Sequence, residues 1–444
     1  MWTSASVSAA LGVPGPPGLS FGGGVSTDTR QLAPGALFVA LEGERFDAHA
    51  FLPEAKARGA IAAVVRRGTT PVQGLPCFEV DDTLDALGLL GRARRRTLGT
   101  DKPVVAVTGS SGKTSTKEMI RAALGSKWRV HATSGNLNNL IGVPLTLLAA
   151  PEGTEALVIE AGASIPGEIA KLRRIVEPTI GVVTNVNYAH VEGFGSLAGV
   201  MREKLSLLEG TPLGVVGTDP PELAIEARRR TRTIVAGTAP GADVRPERIQ
   251  LDDAGYATVR WMQHEARLAV PGEHQVENAM IALAVARAAG ADPGPALAAL
   301  ALVRLPSGRG TVLAIRGLTV VDDTYNANPG SLHSALRFAH LLAERAHRPL
   351  AIVVGSMLEL GAESARLHAA AAREIVNFDP ALIGAVGEFV PAFNALPTAR
   401  DRLVTAEDAE RLGPRLRAAL RGDEVVLLKA SRGVALERVL RHLT

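Results

Sequence analysis

The sequence predicts an α/β protein of three domains: a small N-terminal α/β domain, a central parallel-sheet domain and a C-terminal Rossmann-like domain. At 444 residues the chain is long enough for two or three domains of ordinary size. Its hydrophobic content is 46% with only 4% aromatic residues, which is typical of soluble α/β proteins packed with Ala, Val and Leu. Short apolar runs alternate with helical segments along most of the chain, which favours parallel sheets covered by helices.

The N-terminal domain is predicted over residues 1–100. Apolar runs at 36–41 and 61–65 predict two strands, and the pattern of 51–58 between them predicts a helix. Polar and turn-forming residues at 98–102 indicate a linker to the next domain.

The central domain is predicted over residues 101–304, and it begins with the most informative stretch of the chain. The apolar residues 104–107 predict a buried strand, a glycine-broken loop follows, and 113–124 predict a helix. This order is the strand, phosphate loop and helix of a P-loop nucleotide site, although the loop is two residues shorter than usual. A plain Gly/Ser turn with a solvated lysine is the alternative, and the flanking strand and helix favour the nucleotide site.

In this P-loop ATPase-like interpretation the glycines let backbone N–H groups face an anion, and the start of the helix adds its dipole. Lys113 can reach the β- and γ-phosphates, and the Thr114 hydroxyl can hold Mg²⁺. The chain is therefore expected to use ATP or a close relative. The candidate residues of the loop are Gly109, Ser110, Ser111, Gly112, Lys113, Thr114 and Ser115.

Two further strands of the central domain end in polar residues. Glu160 follows an apolar run at 157–159, and Asn185 and His190 follow another at 180–183. Ligands bind at the carboxyl ends of parallel strands, and a carboxylate there can hold a metal ion against phosphates. Helix capping or an ion pair explains Glu160 about equally well, and a lone histidine is more often a packed or surface residue.

Lys204 lies fourteen residues beyond His190. An ordinary surface lysine is the simplest explanation, but a CO₂-derived carbamate would make it an anion beside Mg²⁺.

Farther on, shorter β-like runs occupy 211–270, and an Ala-rich helix is predicted over 276–289. Asn278 at its start could bind an adenine edge, or it could serve as a helix-start residue.

The C-terminal domain is predicted over residues 305–444, after a Gly- and Pro-containing linker at 305–310. Arg309 in this linker could reach a γ-phosphate when domains close. Strands are predicted at 318–321, 350–354, 382–386 and 425–428, and the helical segments between them indicate a doubly wound parallel sheet. Asp323, after the first of these strands, could bind ribose hydroxyls or form a polar turn.

Composition excludes several classes of function. The net charge is +3 with both signs dispersed, and no basic patch with interleaved aromatics points to nucleic acid. The arginine runs at 94–96 and 228–230 are expected to be solvated helix faces. With Cys77 as the single cysteine no intrachain disulfide forms, and neither a signal peptide nor a membrane span is predicted. These observations favour a cytoplasmic protein.

Seven motifs in this chain resemble those of the Mur ligase family, the ATP-dependent amide-bond-forming enzymes of bacterial cell-wall synthesis. The resemblance spans essentially the whole length in three-domain order, and the motifs at 322–329 and 357–361 are the most specific. The motifs are Thr-Gly-Ser-Ser-Gly-Lys-Thr at 108–114, Gly-Asn-Leu-Asn-Asn at 135–139, Thr-Asn at 184–185 with Ala-His at 189–190, Gly-Phe-Gly-Ser at 193–196, Asp-Asp-Thr-Tyr-Asn-Ala-Asn-Pro at 322–329, Met-Leu-Glu-Leu-Gly at 357–361 and Lys-Ala-Ser-Arg-Gly at 429–433.

The resemblance implies roles for individual residues. It makes Lys113, Lys204 and His190 catalytic, and it implies that Thr114, Glu160, His190 and a carbamylated Lys204 hold Mg²⁺. ATP would be held by the loop residues together with Asn185, Asn278, Arg309 and Asp323. The implied substrate-binding residues are Asp28, Thr29 and Arg30 near the uridine moiety, Ser431 and Arg432 near the incoming dipeptide, and Asn136, Asn139, Tyr325, Asn326 and Asn328.

The activity implied is the joining of D-alanyl-D-alanine to UDP-N-acetylmuramoyl-tripeptide through an acyl phosphate, with ATP and Mg²⁺, in a monomer that needs neither nucleic acid nor membrane insertion. A sister ligase that adds a single amino acid, a folate-type polyglutamate ligase, a non-catalytic P-loop regulator and a simple kinase or ATPase are the alternatives. The chain departs from the family's usual residues at Asn187, Gln275, Ser356 and Ala430, which affects the expected details of dipeptide recognition most.

Overall fold

The computed structural model describes residues 2–43 and 46–444 of the protein, and these form two compact units. The first unit comprises residues 1–106, 129–163 and 168–179, and the second comprises residues 107–128, 164–167 and 180–444. The boundaries predicted for three domains, 1–100, 101–304 and 305–444, stay a prediction, because the segment assigned to the central domain contributes to both units.

Strands and helices alternate along the described chain. The strands are β1 (Trp2–Thr3), β2 (Ser20–Phe21), β3 (Val25–Ser26), β4 (Leu37–Val39), β5 (Glu42–Gly43), β6 (Phe46–Asp47), β7 (Ala62–Arg66), β8 (Cys77–Val80), β9 (Val104–Thr108), β10 (Val130–Ala132), β11 (Ala156–Glu160), β12 (Ile180–Val183), β13 (Leu213–Val216), β14 (Thr233–Val235), β15 (Arg248–Leu251), β16 (Tyr256–Trp261), β17 (His264–Pro271), β18 (Thr311–Ile315), β19 (Leu318–Asp323), β20 (Leu350–Val354), β21 (Leu382–Val386), β22 (Leu403–Ala406) and β23 (Val425–Lys429).

The α-helices are α1 (Ser4–Leu11), α2 (Leu52–Ala57), α3 (Thr83–Arg96), α4 (Lys113–Gly125), α5 (Gly142–Leu148), α6 (Glu168–Val176), α7 (Val191–Phe194), α8 (Leu197–Leu205), α9 (Pro221–Arg228), α10 (His274–Ala288), α11 (Pro293–Ala299), α12 (Pro329–Ala346), α13 (Ser364–Asn377), α14 (Phe389–Asn394), α15 (Ala409–Ala419) and α16 (Leu440–Leu443). Across the described residues, no helix combines the length and the apolar character that a membrane span requires.

In the first unit, β3, β4, β7 and β8 form a parallel sheet in that order. The predicted strands at 36–41 and 61–65 and the helix at 51–58 are confirmed as β4, β7 and α2. One face of the sheet packs on α1 and α3, where Val7, Leu87 and Leu90 are fully buried. Of helix α3, only the arginine run at 94–96 was predicted to be helical; at its start Asp82 caps it by accepting hydrogen bonds from the N–H groups of Leu84 and Asp85.

The arginine run at 94–96 is not a simple solvated face, because Arg95 is buried. Its guanidinium donates to the carbonyl oxygens of Val176 at 3.0 Å, Glu177 at 2.9 Å and Gly99 at 2.9 Å. These carbonyls lie at the ends of two helices, where backbone acceptors lack helical partners. The expectation of a solvated run is therefore wrong for Arg95, and a guanidinium fork explains the choice of arginine at this position.

Arg92 and Arg96 hold the Glu177 carboxylate from the same helix. Nε of Arg92 donates to Oε1 at 2.7 Å, and Nη2 of Arg96 donates to Oε1 at 2.6 Å. Hydrogen bonding from Arg96, and then from Arg92 with the charges of both, lowers the pKa of Glu177 from 4.5 to about 2, against the opposing effect of partial burial. The carboxylate form of Glu177 therefore favours the folded state.

We expect the stability that Glu177 contributes to depend on pH in a defined direction. Because its folded pKa is below its unfolded value, the contribution is complete above pH 4.5 and is lost as the pH falls towards about 2. Urea unfolding of the wild type and of Glu177→Gln at several pH values measures it. The difference in unfolding free energy should shrink as the pH falls through this window, and a difference independent of pH would contradict the prediction.

In the second unit, the C-terminal sheet has the strand order β18, β19, β23, β20, β21, β22, and it is parallel except for the edge strand β18. Helices α12, α13 and α14 pack on one face, and α15 and α16 pack on the other. The predicted doubly wound sheet is confirmed, and two predicted strands have the bounds of β20 and β21. The sheet places the ends of β19 and β23 side by side, with Asp323 paired in register with Lys429.

Candidate active site

The loop between β9 and α4 has the geometry expected of a phosphate-binding turn. Gly109 has a φ of 147°, and Gly112, with a φ of 75°, precedes the first residue of α4. Lys113 begins the helix, and its Nζ lies 2.8 Å from the carbonyl oxygen of Gly109. Thr114 and Ser115 in the first turn are both buried. The N-terminal end of this 13-residue helix carries the partial positive charge that stabilises an anion.

Residues 184–187, after β12, hold this loop in shape. The N–H groups of Ser110 and Ser111 donate to the carbonyl oxygen and to Oδ1 of Asn185, both at 3.0 Å. Thr184 donates from Oγ1 to the carbonyl oxygen of Ser111 at 2.6 Å. Asn185 was predicted as an ATP ligand, but its side chain forms hydrogen bonds with the loop itself. Two backbone N–H groups of the loop that were predicted to face phosphate donate to Asn185 instead.

Gly109 has no room for a side chain. A Cβ built at this position would lie 1.9 Å from Oγ1 of Thr184, which is far closer than real Cβ atoms approach any atom. Its φ of 147° is also a conformation that L residues rarely adopt. The loop and the segment after β12 can therefore approach this closely only with glycine at position 109.

We expect Gly109→Ala to lose nucleotide binding by distorting the loop, and to cost about 1–3 kcal/mol of unfolding free energy because of the clash and the strained backbone. Equilibrium binding of ADP with Mg²⁺ and urea unfolding test this. Gly125→Ala is the matched control, because Gly125 ends α4 and a Cβ there meets nothing within 4 Å. Unchanged nucleotide affinity in Gly109→Ala would contradict the expectation.

Asn278 lies behind the loop, on α10, and is buried. Its Oδ1 accepts a hydrogen bond from Oγ1 of Thr116 at 3.0 Å, and its Nδ2 donates to Oε1 of Gln275 at 2.9 Å. The glutamine at position 275, where the family usually has asparagine, thus uses its longer side chain to hold Asn278. Asn278 was predicted to bind adenine, and the structure places its amide in contacts within the protein.

Asp323 and Lys429 form an ion pair where β19 and β23 end. Lys429 is buried, with 2% of the residue exposed. Its Nζ lies 2.7 Å from Oδ2 of Asp323 and donates to the carbonyl oxygen of Asn326 at 2.5 Å. His274 lies in the same electrostatic surroundings: burial lowers its pKa, the charge of Asp323 opposes that shift and the charge of Lys429 adds to it. Lys429 therefore orients the predicted ribose-binding carboxylate and the turn after it.

Several predicted substrate-binding residues hold the turns of the C-terminal sheet together. Asn328 caps α12 by accepting from the N–H of Ser331 at 2.9 Å. Ser431 accepts from the N–H of Leu358 at 2.9 Å and donates to the carbonyl oxygen of Ala327 at 3.3 Å. Their side chains are buried and structural, whereas Asn326 is exposed.

Tyr325 lies close to two arginines of the predicted site. The guanidinium carbon of Arg309 lies 3.8 Å from the centroid of the Tyr325 ring, and that of Arg432 lies 5.8 Å from it. Both distances fall within the range of a cation–π interaction. The structure thus brings the residue predicted for the γ-phosphate and the residue predicted for the dipeptide close to the same aromatic ring.

His190 and Lys204 follow β12 in the chain: His190 is the residue before α7, and Lys204 lies on α8. Nδ1 of His190 is paired with Oε2 of Glu359. The hydrogen bond from His190 lowers the pKa of Glu359, and the charges of His190 and Lys113 add to this shift against partial burial. Lys204 on α8 is fully buried, and its Nζ lies 5.4 Å from the centroid of the Phe194 ring. Lys204 is therefore not the ordinary surface lysine of the simplest explanation.

In the first unit, Glu160 ends β11 and is buried, as a carboxylate at a strand end should be for metal binding. Its Oε1 accepts from Nδ2 of Asn138 at 2.9 Å. Asn138 was not predicted, although it lies between two predicted residues. The two predicted residues are Asn136, which is exposed, and Asn139, which accepts a hydrogen bond from the N–H of Gly142 at the start of α5.

Asp28, Thr29 and Arg30 form a turn in the same unit. Oδ1 of Asp28 accepts from the backbone N–H of Arg30 at 2.9 Å, and the two side chains form an ion pair at 2.8 Å. The hydrogen bonds from Arg30 lower the pKa of Asp28 to about 2. Arg30 is 81% exposed on its side chain, so its guanidinium is accessible to an anionic ligand, whereas Thr29 is buried.

Magnesium fits the kinds of donor that these residues offer. A buried carboxylate and a helix-start hydroxyl, Glu160 and Thr114, are hard oxygen ligands. Among residues 2–43 and 46–444 no group of three or more His, Cys, Asp or Glu side chains gathers as a metal cluster. Two of the predicted ligands, the hydroxyl of Thr114 and a carbamate of Lys204, are of other kinds.

Three domain families match successive segments of the chain: the "Mur ligase family, catalytic domain" at 23–94, the "Mur ligase middle domain" at 107–286 and the "Mur ligase, glutamate ligase domain" at 308–432. The UDP-N-acetylmuramoyl-tripeptide--D-alanyl-D-alanine ligase of Escherichia coli is 38% identical, with 94% of this chain and 93% of that protein aligned.

Solved structures agree with these matches. MurF from Acinetobacter baumannii superposes with a TM-score of 0.89 at 31% identity, covering 100% of this chain and 98% of that one. MurF from Thermotoga maritima, solved in complex with ADP, has a TM-score of 0.82 at 30% identity, covering 94% and 96%. The predicted three-domain α/β fold class is confirmed by these structures.

Proposed function

Because the chain belongs to the Mur ligase family, we propose that it joins D-alanyl-D-alanine to UDP-N-acetylmuramoyl-tripeptide in peptidoglycan precursor synthesis. It is an ATP-dependent ligase that forms a C–N bond. The observation that carries the substrate assignment is the 38% identity to the E. coli ligase over 94% of this chain. The P-loop geometry around Lys113 supports the use of ATP.

The reaction must first activate a carboxylate, which is a poor acyl donor. An oxygen of the terminal carboxylate of the tripeptide attacks the γ-phosphorus of ATP, and the bond to ADP breaks to leave an acyl phosphate. The amine of D-alanyl-D-alanine then attacks the acyl carbon, the C–O bond to phosphate breaks, and the amine loses a proton. Both steps concentrate negative charge, so fixed positive charge and dipoles are the main requirement of the site.

We assign the phosphates to Lys113 and to the N-terminal end of α4, where the lysine and the helix dipole supply that positive charge. Arg309, beside Tyr325, reaches the γ-phosphate, and Asp323, oriented by Lys429, binds the ribose. Asn278 and Asn185 act mainly by shaping the loop, as their internal hydrogen bonds support. The acyl phosphate reacts readily with water, so the linkers at 98–102 and 305–310 serve domain closure.

Mg²⁺ would be held by Thr114, Glu160, His190 and a carbamylated Lys204. When bound it neutralises phosphate charge and polarises the phosphoryl oxygens. Asn138 orients the Glu160 carboxylate through its hydrogen bond, and the full burial of Lys204 supports a role other than solubility.

The remaining assignments concern substrates and context. Asp28, Thr29 and Arg30 contact the uridine nucleotide, with the exposed guanidinium of Arg30 near its phosphates, and Asn136 and Asn139 belong to the same substrate site. Arg432 and the Tyr325 ring, with Asn326, contact the dipeptide.

We also propose that the enzyme is a monomer of the cytoplasm, where ATP and nucleotide-linked precursors occur. Sedimentation of the purified protein tests whether it is a monomer.

ADP release with UDP-N-acetylmuramoyl-tripeptide, measured with and without D-alanyl-D-alanine, tests the proposed function. We expect release to require the dipeptide and mass spectrometry to find the amide product. Single amino acids, including L-glutamate, serve as competing amines. Preference for one of them would identify a sister ligase or a folate-type ligase, and ADP release without any amine would identify a simple ATPase; either result overturns the proposal.

A further inference from the structure

The pair between His190 and Glu359 joins two residues with unusual backbone conformations. His190 has a φ of 55° and Glu359 has a φ of 63°, and both are left-handed conformations that residues other than glycine rarely adopt. Such conformations persist where the surrounding structure holds them, and they concentrate at functional sites. Here the two conformations bring the imidazole Nδ1 and the carboxylate Oε2 together.

The segment that carries Glu359, residues 357–361, is anchored at Glu359 and at the two residues before it. The N–H of Met357 donates to Nε2 of His368 at 2.9 Å, and the N–H of Leu358 donates to Ser431. The carbonyl oxygen of Glu359 accepts from the N–H of Glu192, on the helix that follows His190, at 3.2 Å. These contacts hold the backbone at Glu359, whose side chain is 53% exposed.

We propose that Glu359 is a positioning residue that orients the His190 imidazole for a divalent cation, an inference that rests on the proposed function, in which His190 is a magnesium ligand. A carboxylate held against Nδ1 favours the neutral imidazole that carries its proton there, with its lone pair at Nε2, the nitrogen left to bind a metal. Metal affinity then depends on a contact made by the C-terminal sheet, whose loop carries Glu359.

The other possible role of this carboxylate is that of a placeholder, which neutralises the site and leaves when nucleotide and metal bind. The two roles predict opposite effects of removing it. A positioning carboxylate strengthens metal binding, so that its loss weakens binding, whereas a placeholder competes with the ligand, so that its loss strengthens binding. The anchored backbone and the contact through Nδ1 favour the positioning role.

The test is Mn²⁺ binding, followed by EPR, to protein with one equivalent of the non-hydrolysable ATP analogue AMPPCP. The variants are Glu359→Gln, His190→Ala and the double variant. We expect Glu359→Gln to raise the Mn²⁺ dissociation constant about tenfold, as the loss of a carboxylate behind a metal-bound histidine does. Because Glu359 acts through His190, the double variant should bind as His190→Ala does, within about twofold on the logic of double-mutant cycles.

Glu363→Gln is the matched control, because it removes a carboxylate of the same loop that pairs with Arg366 at the surface. It should bind Mn²⁺ like the wild type, and thermal unfolding should show that all variants fold. Wild-type or tighter Mn²⁺ binding by Glu359→Gln, or an additive effect in the double variant, overturns the inference. If His190→Ala also leaves Mn²⁺ binding unchanged, the proposed magnesium role of His190 has failed instead, which separates the two conclusions.

Discussion

Replacing Lys113 by alanine is expected to abolish ligation while the protein stays folded. Lys113 is the first residue of α4, and its ammonium lies over the loop, 2.8 Å from the carbonyl oxygen of Gly109. Both chemical steps need positive charge at the phosphates, and removing one preorganised donor of this kind typically costs 10²–10³ in rate. Because Lys113 also positions the phosphoryl group, we expect a loss of at least about 10³-fold.

The measurement is ADP release together with mass-spectrometric detection of the amide product, and circular dichroism reports whether the fold is intact. Lys171→Ala is the matched control, since this lysine on α6 is exposed and has no assigned role. It should turn over like the wild type. Near-wild-type turnover by Lys113→Ala would refute the assignment of the loop at 109–115 to ATP.

The parallel strands were predictable because their signal is local. A strand buried on both faces is a continuous apolar run, and β12, β20 and β21 are found at the predicted bounds. Edge strand β18 was not predicted, although it pairs with β19, which is adjacent in sequence. The burial of Arg95 was not predictable, because its acceptors on Val176 and Glu177 lie more than 80 residues along the chain.

The site residues also divide into those with a local sequence signal and those whose contacts depend on distant parts of the chain. The P-loop could be located from spacing, because a strand, two glycines and a Lys-Thr pair lie within a dozen residues. The hydrogen bonds that Asn185, Asn278 and Ser431 make inside the protein could not be predicted, because these partners come from segments distant in sequence. Glu359 lay within a recognised motif, but only the fold shows that it faces His190.

Replacing Lys204 by alanine is expected to reduce ligation by at least about 10²-fold, which corresponds to the several kcal/mol that a metal ion supplies at such a site. Lys204 is fully buried on α8, near the Phe194 ring. Carbamylation adds CO₂ to the uncharged amine and releases a proton, which converts the side chain into an anion that can contact Mg²⁺. Alanine cannot form this group, so the metal loses a ligand.

Short carboxylic acids such as formate and acetate should partly restore activity to Lys204→Ala, because the missing group is only an anionic oxygen ligand and a small carboxylate can occupy the space that the side chain leaves. Lys113→Ala is the matched control: it lacks a cation, so the same acids should not restore it, and a general salt effect would raise both variants equally. Thermal unfolding separates loss of fold from loss of the ligand. Full activity of Lys204→Ala without added acid would remove the carbamate from the mechanism, whereas selective rescue would show that this buried lysine acts as an anion.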